Sequence, residues 1–186
     1  MIERAQMATI MLLMACTASR TPAADVGPAV TVVYLVRHAE KAGGDDPPLT
    51  AAGRVRAADL ARALAGAGIT GAVVTQRRRT GETAEPVLRP LGIVADTVPL
   101  GGTVAEHAAA VVARIRARHL GGTVLVVGHS NTVPAIMTAL GAPPMPDLCD
   151  AEHANLFVLR MGLGAVQVTR GRYGAADPPG ASACRT

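Results

Sequence analysis

Val30-Thr31-Val32-Val33-Tyr34-Leu35-Val36, running straight into Arg37-His38-Ala39-Glu40-Lys41, is the stretch that decides the fold. It is nearly all β-branched or large and apolar, with no alternation between a wet and a dry face. Such a run predicts a strand covered on both faces, as strands of parallel sheets are. Thr123-Val124-Leu125-Val126-Val127 repeats the pattern just before Gly128-His129. Ala72–Thr75 reads as a shorter strand and Ile93–Ala95 as a further apolar segment. Helical periodicity fills the intervals. Ala57, Leu60, Ala61 and Leu64 share one face of a helix expected over Thr50–Gly66, and Gly66 and Gly68 stop it. Arg79–Leu91 reads as helical up to Gly92. Val104, Ala108, Val111, Val112 and Ile115 line a helix that Gly121-Gly122 ends, and a last helical stretch runs to Leu140. Pro143–Pro146 marks a loop, after which Asn155–Leu159 and Ala165–Thr169 read as a closing hairpin. Alternation of this kind predicts an α/β fold, a three-layer α/β/α sandwich around a largely parallel sheet.

The chain has 186 residues, 49% of them hydrophobic and 17% charged, enough for one domain with a sizeable core. Aromatic residues make up only 2%, which argues against the stacking platforms of single-stranded nucleic-acid binders. The net charge is +4, and 17 of the 18 basic residues are Arg. A guanidinium is a planar fork suited to one defined phosphate or carboxylate; an Arg-preferring genome explains the same bias. No nucleic-acid partner is expected.

The beginning of the chain reads as an address. Met7–Ala15 is a short apolar run that suits the hydrophobic region of a signal peptide and is too short to span a bilayer. Leu13-Met14-Ala15-Cys16 resembles a bacterial lipoprotein box, in which Cys16 is lipidated and attaches the protein to a membrane. The competing readings are an ordinary signal peptide cut nearby and a mis-assigned start codon. On this reading residues 1–16 are a signal peptide, 17–29 a flexible tether, 30–170 the domain and 171–186 a tail, in an exported protein that is periplasmic or membrane-anchored. Cys149 and Cys184 are then an even pair in a disulfide-permissive compartment; a bridge that pins the tail and two free thiols are both open. No Cys/His cluster points to a metal, and none is expected.

In a parallel sheet, ligands bind at the carboxyl ends of the strands. Arg37-His38 follows one buried strand and Gly128-His129 another, while Gln76-Arg77-Arg78-Arg79 follows Ala72–Thr75. Histidines and arginines converging on one sheet edge describe an anion pocket. Guanidinium forks match phosphoryl oxygens, and an imidazole can attack phosphorus.

Four ordered motifs carry a family resemblance: Leu35-Val36-Arg37-His38-Ala39-Glu40-Lys41, Leu49-Thr50-x-x-Gly53-Arg54, Arg79-Thr80-x-x-Thr83-Ala84-Glu85-Pro86, and Val126-Val127-Gly128-His129-Ser130-Asn131. Together, over roughly Val30 to Phe157, they resemble the histidine phosphatase (phosphoglycerate mutase-like) superfamily. The resemblance implies a phosphomonoester or phosphohistidine hydrolase. His38 would be the nucleophile that becomes a phosphohistidine. Arg37 and Arg79 would clamp the phosphoryl oxygens, and His129 would complete the pocket. It implies no cofactor, and a small phosphorylated substrate or a phosphoprotein as partner. Surrounding positive charge is expected to keep His38 neutral.

Other positions carry two readings. Glu106 is a candidate general acid for the leaving group, yet Thr103-Val104-Ala105-Glu106 equally fits a helix capping box. Asp150 and Glu152 are the alternatives. Ser130 and Asn131 either line the substrate pocket or cap the next helix, with capping favoured. Glu40 and Lys41 read as an exposed ion pair or a substrate rim, and His107, His119 and His153 receive no role. Two other functions compete. Gly128-His129-Ser130-Asn131-Thr132 nearly matches the elbow of a serine hydrolase with Ser130 as nucleophile, but Thr132 stands where that turn needs Gly. A non-catalytic, tethered phosphate-binding module is the other.

Overall fold

The computed structural model describes residues 29–162 and 164–185. The signal segment, Cys16 with its lipobox, and the tether up to residue 28 lie outside the described residues. Among the described residues six strands form one sheet in the order β3-β2-β4-β1-β5-β6. They are β1 (Thr31–Arg37), β2 (Gly71–Val74), β3 (Asp96–Thr97), β4 (Thr123–Gly128), β5 (Asn155–Met161) and β6 (Gln167–Arg172). The first four pair in parallel with one another, and β5 runs antiparallel to both β1 and β6, which closes one side.

Among the described residues four α-helices cover the two faces: α1 (Ala51–Ala63), α2 (Arg78–Leu88), α3 (Val104–Arg118) and α4 (Thr132–Ala139). The lack of alternation in β1 has its explanation here. Val33 and Leu35 pack against Val111, Ile115 and Ile136 of α3 and α4, whereas Val36 packs with Leu60, Ala84 and Val87 of α1 and α2. Burying such side chains contributes roughly 1.5–3 kcal/mol each, on both faces of the sheet. The architecture is the three-layer α/β/α sandwich that the sequence implies.

Several boundaries move. Thr50 is the N-cap of α1, its hydroxyl accepting from the Gly53 amide at 3.0 Å, so the helix begins one residue later than expected. The apolar segment Ile93–Ala95 lies just before a strand, which forms at Asp96–Thr97, where the backbone reaches β2. The second arm of the hairpin is Gln167–Arg172 and not Ala165–Thr169, which carries the strand past the boundary expected at residue 170. Tyr173 then enters the core. Cys149 and Cys184 form a disulfide, with their Cα atoms 5.7 Å apart.

Candidate active site

β1 and β4 are adjacent and parallel, and Arg37 is the register partner of Gly128. The residues that follow, His38 and His129, therefore emerge side by side, with ring centroids 5.3 Å apart. Arg79, in the first turn of α2 beyond β2, donates from Nη2 to His129 Nδ1 at 3.3 Å. Arg37, His38 and His129 are all buried. With Arg79, Lys41, His107 and Ser130 they line a cavity of about 500 Å³.

His38 is fixed in one orientation. Its Nδ1 lies 2.8 Å from the Ala39 carbonyl. A carbonyl only accepts, so the proton sits on Nδ1 and Nε2 keeps its lone pair. Burial pushes the His38 pKa down to about 3, with Arg37, His129 and Arg79 adding repulsion to a proton and the Ala39 bond partly opposing. Desolvation leads, and the positive charge that the sequence points to adds to it.

His129 is oriented by the same logic. Its Nδ1 receives the Arg79 bond, so Nε2 carries the proton and donates to Thr75 Oγ1 at 3.1 Å. The Thr75 hydroxyl lies 3.1 Å from that of Thr80, and Thr80 donates to the Arg77 carbonyl at 2.8 Å. Burial, followed by the Arg79 charge, holds the His129 pKa at about 3.

Arg37 is held from behind. Its Nη1 donates to the carbonyls of Cys149, Asp150 and Glu152 at 2.7, 3.0 and 3.3 Å, and its Nη2 lies 3.5 Å from the Asp150 carboxylate. The Nε atoms of both Arg37 and Arg79 are buried with no hydrogen-bond partner among the described residues. Two unpaired guanidinium donors, each costly to bury, next to two neutral imidazoles are chemistry that an anion would satisfy. Among the described residues no cluster of three or more His, Cys, Asp or Glu could hold a metal ion.

The remaining candidates separate. Glu106 accepts from the Thr103 amide at 2.7 Å while the Thr103 hydroxyl accepts from the Glu106 amide at 3.2 Å, a complete capping box. Those bonds hold its carboxyl below the usual range, and it does not line the cavity. Ser130 and Asn131 do line it. The expected helix capping by them is corrected, because Asn131 makes no side-chain cap bond, and the hydroxyl of Thr132 takes the His129 amide at 2.8 Å. Glu40 does not pair with Lys41. It forms a fork with buried Arg56, whose Nε reaches both carboxylate oxygens at 2.9 and 3.0 Å. Asp150 lies at the mouth of the cavity, whereas Glu152 is buried and accepts from the Cys149 amide at 2.7 Å.

Two histidines without an expected role stand at the site. His153 donates from Nδ1 to the His38 carbonyl at 3.0 Å, with its ring 6.0 Å from that of His38. It lies just before β5, and β5 pairs with β1, so strand adjacency was the available signal. His107 donates from Nδ1 to the Pro99 carbonyl at 3.1 Å and lines the cavity. His119 instead pairs with Asp96 at 3.0 Å, away from the cavity.

Among curated proteins none matches this chain in sequence. The fold is shared with solved structures. One is a mycobacterial glucosyl-3-phosphoglycerate phosphatase, 17% identical with a TM-score of 0.61 over 79% of this chain and 100% of that one. Another is YhfR of Bacillus stearothermophilus, 22% identical with a TM-score of 0.58 over 75% and 95%. A third is a Nakamurella multipartitia protein assigned by name to the SixA phosphohistidine phosphatases, 26% identical with a TM-score of 0.55 over 80% and 99%. Residues 33–100 match the model of the histidine phosphatase superfamily, branch 1, a span that takes in Arg37, His38 and Arg79.

Proposed function

We propose that this chain is a phosphatase of the histidine phosphatase superfamily and that it hydrolyses its substrate by transferring the phosphoryl group to Nε2 of His38. The observation that carries the reading is the His38 Nδ1 bond to Ala39, which leaves a neutral ring with its free lone pair on Nε2 beside two guanidinium groups. Arg37 and Arg79 neutralise the oxygens of the phosphoryl group as charge shifts during transfer, and in a water-poor pocket fixed donors are worth far more than in solvent. Nε2 forms the P–N bond as the ester or phosphoramidate bond breaks. Water then attacks phosphorus, releasing inorganic phosphate and restoring the lone pair.

The leaving group sets the substrate class. With the Glu106 carboxylate committed to its cap, the reading favours substrates whose leaving group needs little help, such as phosphohistidine or another phosphoramidate. A serine hydrolase is disfavoured by one observation: both ring nitrogens of His129 are engaged, by Arg79 and Thr75, so neither is placed to act as a base for Ser130. The disulfide supports the exported location that the N-terminal segment leads one to expect, since such bonds persist in oxidising compartments.

A panel of aryl phosphates, alkyl phosphates and phosphohistidine peptides on wild type and His38→Ala tests the reading, with acid quench to trap the phosphoenzyme. The expected result is an acid-labile phosphoenzyme in wild type and none in the variant. Turnover that persists in His38→Ala overturns the mechanism.

A further inference from the structure

Arg37 projects from the end of β1, but what fixes its guanidinium is the turn at residues 149–152. Three carbonyls of that turn converge on Nη1. The turn is closed on itself by the Glu152 amide bonding the Cys149 carbonyl at 2.9 Å and by the Glu152 carboxylate taking the Cys149 amide at 2.7 Å. It belongs to neither a helix nor a strand, so no ladder of backbone bonds fixes its position.

The chain after β6 supplies that anchorage. Tyr173, buried and bonded through its amide to the Ala154 carbonyl at 3.0 Å and through its carbonyl to Arg56 Nη1 at 3.3 Å, begins it, and beyond Tyr173 three further stitches follow. Arg56 Nη1 donates to the Ala175 carbonyl at 2.9 Å. Asp177 Oδ1 takes the amides of His153 and Ala154 at 2.8 and 2.9 Å. Cys184 is bonded to Cys149, the residue whose carbonyl makes the shortest of the three bonds to Arg37. The second stitch lies just past the turn and the third at its first residue. The segment thus grips both ends of the peptide run that cages Arg37.

We propose that residues 173–184 form a strap whose work is to position Arg37, fastened by the Cys149–Cys184 disulfide, so that phosphoryl affinity depends on the oxidised bond. The inference rests on the reading of Arg37 as a phosphoryl ligand. Releasing the strap leaves the β1 backbone in place but frees the carbonyl cage, and Arg37 then spends binding energy on being ordered. Cys149 and Asp177 are positioning residues in this scheme; neither side chain is asked to touch substrate. Cys184 is exposed, so a reductant can reach the bridge. With a phosphine the balance is simple: the phosphine takes the oxygen of one water to become its oxide, and the two sulfurs take two electrons and two protons to become thiols.

The test is the inhibition constant of inorganic phosphate in the hydrolysis assay, measured on the full chain, oxidised and phosphine-reduced, and on Cys184→Ser. Reduction is expected to raise that constant about tenfold, Cys184→Ser to match reduced wild type, and re-oxidation to restore it. In an Arg37→Ala background, reduction is expected to change phosphate binding less than twofold, because the group being positioned is gone. A bridge that only stabilises the fold lowers Tm in both backgrounds and leaves the phosphate constant alone, which overturns the proposal. If Cys184→Ser does not fold, Asp177→Asn decides with the disulfide intact: a weaker phosphate constant supports the strap, and an unchanged one overturns it. Failure of oxidised wild type to bind phosphate at all sinks the phosphatase reading instead, a separate result.

Discussion

The ring of His38 is oriented by Ala39, the residue that follows it, through the Nδ1 bond to its carbonyl at 2.8 Å. Ala39 is itself held, because its amide donates to the hydroxyl of Thr83 at 3.0 Å, and that hydroxyl donates to the Arg79 carbonyl at 2.7 Å. The Thr83 of the Arg79-Thr80-x-x-Thr83 motif therefore ties the loop after β1 to the helix that carries Arg79. Thr83→Val keeps the shape and removes the acceptor, leaving a buried amide unpaired at a cost of about 1–3 kcal/mol. The expected outcome is a lower urea midpoint and a roughly tenfold loss in kcat with KM little changed, both restored by Thr83→Ser.

Gly53 carries a different constraint. A Cβ built there meets the Glu40 carbonyl oxygen at 2.1 Å. Gly53 lies within α1, where alanine would ordinarily be the better helix former by about 1 kcal/mol. The clash is with backbone on both sides, so the sign reverses. Gly53→Ala is expected to destabilise by about 1–3 kcal/mol in equilibrium urea unfolding. An unchanged or higher midpoint would show that the close approach of α1 to residue 40 is dispensable.

Glu106 separates two chemistries by experiment. With its carboxylate in the capping box, Glu106→Ala is expected to lower Tm by a few degrees and to leave turnover of both alkyl and aryl phosphates within twofold. A general acid behaves otherwise. Its loss would slow the alkyl substrate, whose leaving group is poor, far more than the aryl one. Rates on the two esters, measured side by side, distinguish the cases.

What the sequence revealed follows from the range of each signal. The apolar runs of β1 and β4 are local, and once both strands are placed parallel and adjacent, His38 and His129 meet at their ends. Arg79 is legible because it opens the helix after β2. The unread parts are contacts between elements far apart in the chain. Nothing near Arg56 marks it as the partner of Glu40, and nothing near His153 marks it as the donor to the His38 carbonyl. A single polar residue has no period, and only the pairing of β5 with β1 brings His153 to the site. Glu106 was ambiguous for the opposite reason, since a local motif explained it as well as a catalytic role did.

The two site histidines make folding itself pH-dependent. In the unfolded chain an imidazole takes up its proton near pH 6.5, whereas burial holds His38 and His129 at about 3 in the folded chain. Between those values the unfolded state binds more protons, so unfolding free energy falls as pH drops. The loss is about 1.4 kcal/mol per pH unit for each histidine, fully avoided above pH 6.5 and growing below it. His153, also lowered by burial, adds in the same direction. Above about pH 5 carboxylates contribute little, so the window from 6.5 to 5 isolates the histidines. Urea midpoints are expected to hold steady near pH 8 and decline through that window, and the decline to be shallower in His129→Asn. Nitrogen NMR of wild type at pH 5.5 is expected to show His38 neutral with its proton on Nδ1. A His38 that titrates near 6.5 in the folded protein would overturn both the linkage and the account of its free lone pair.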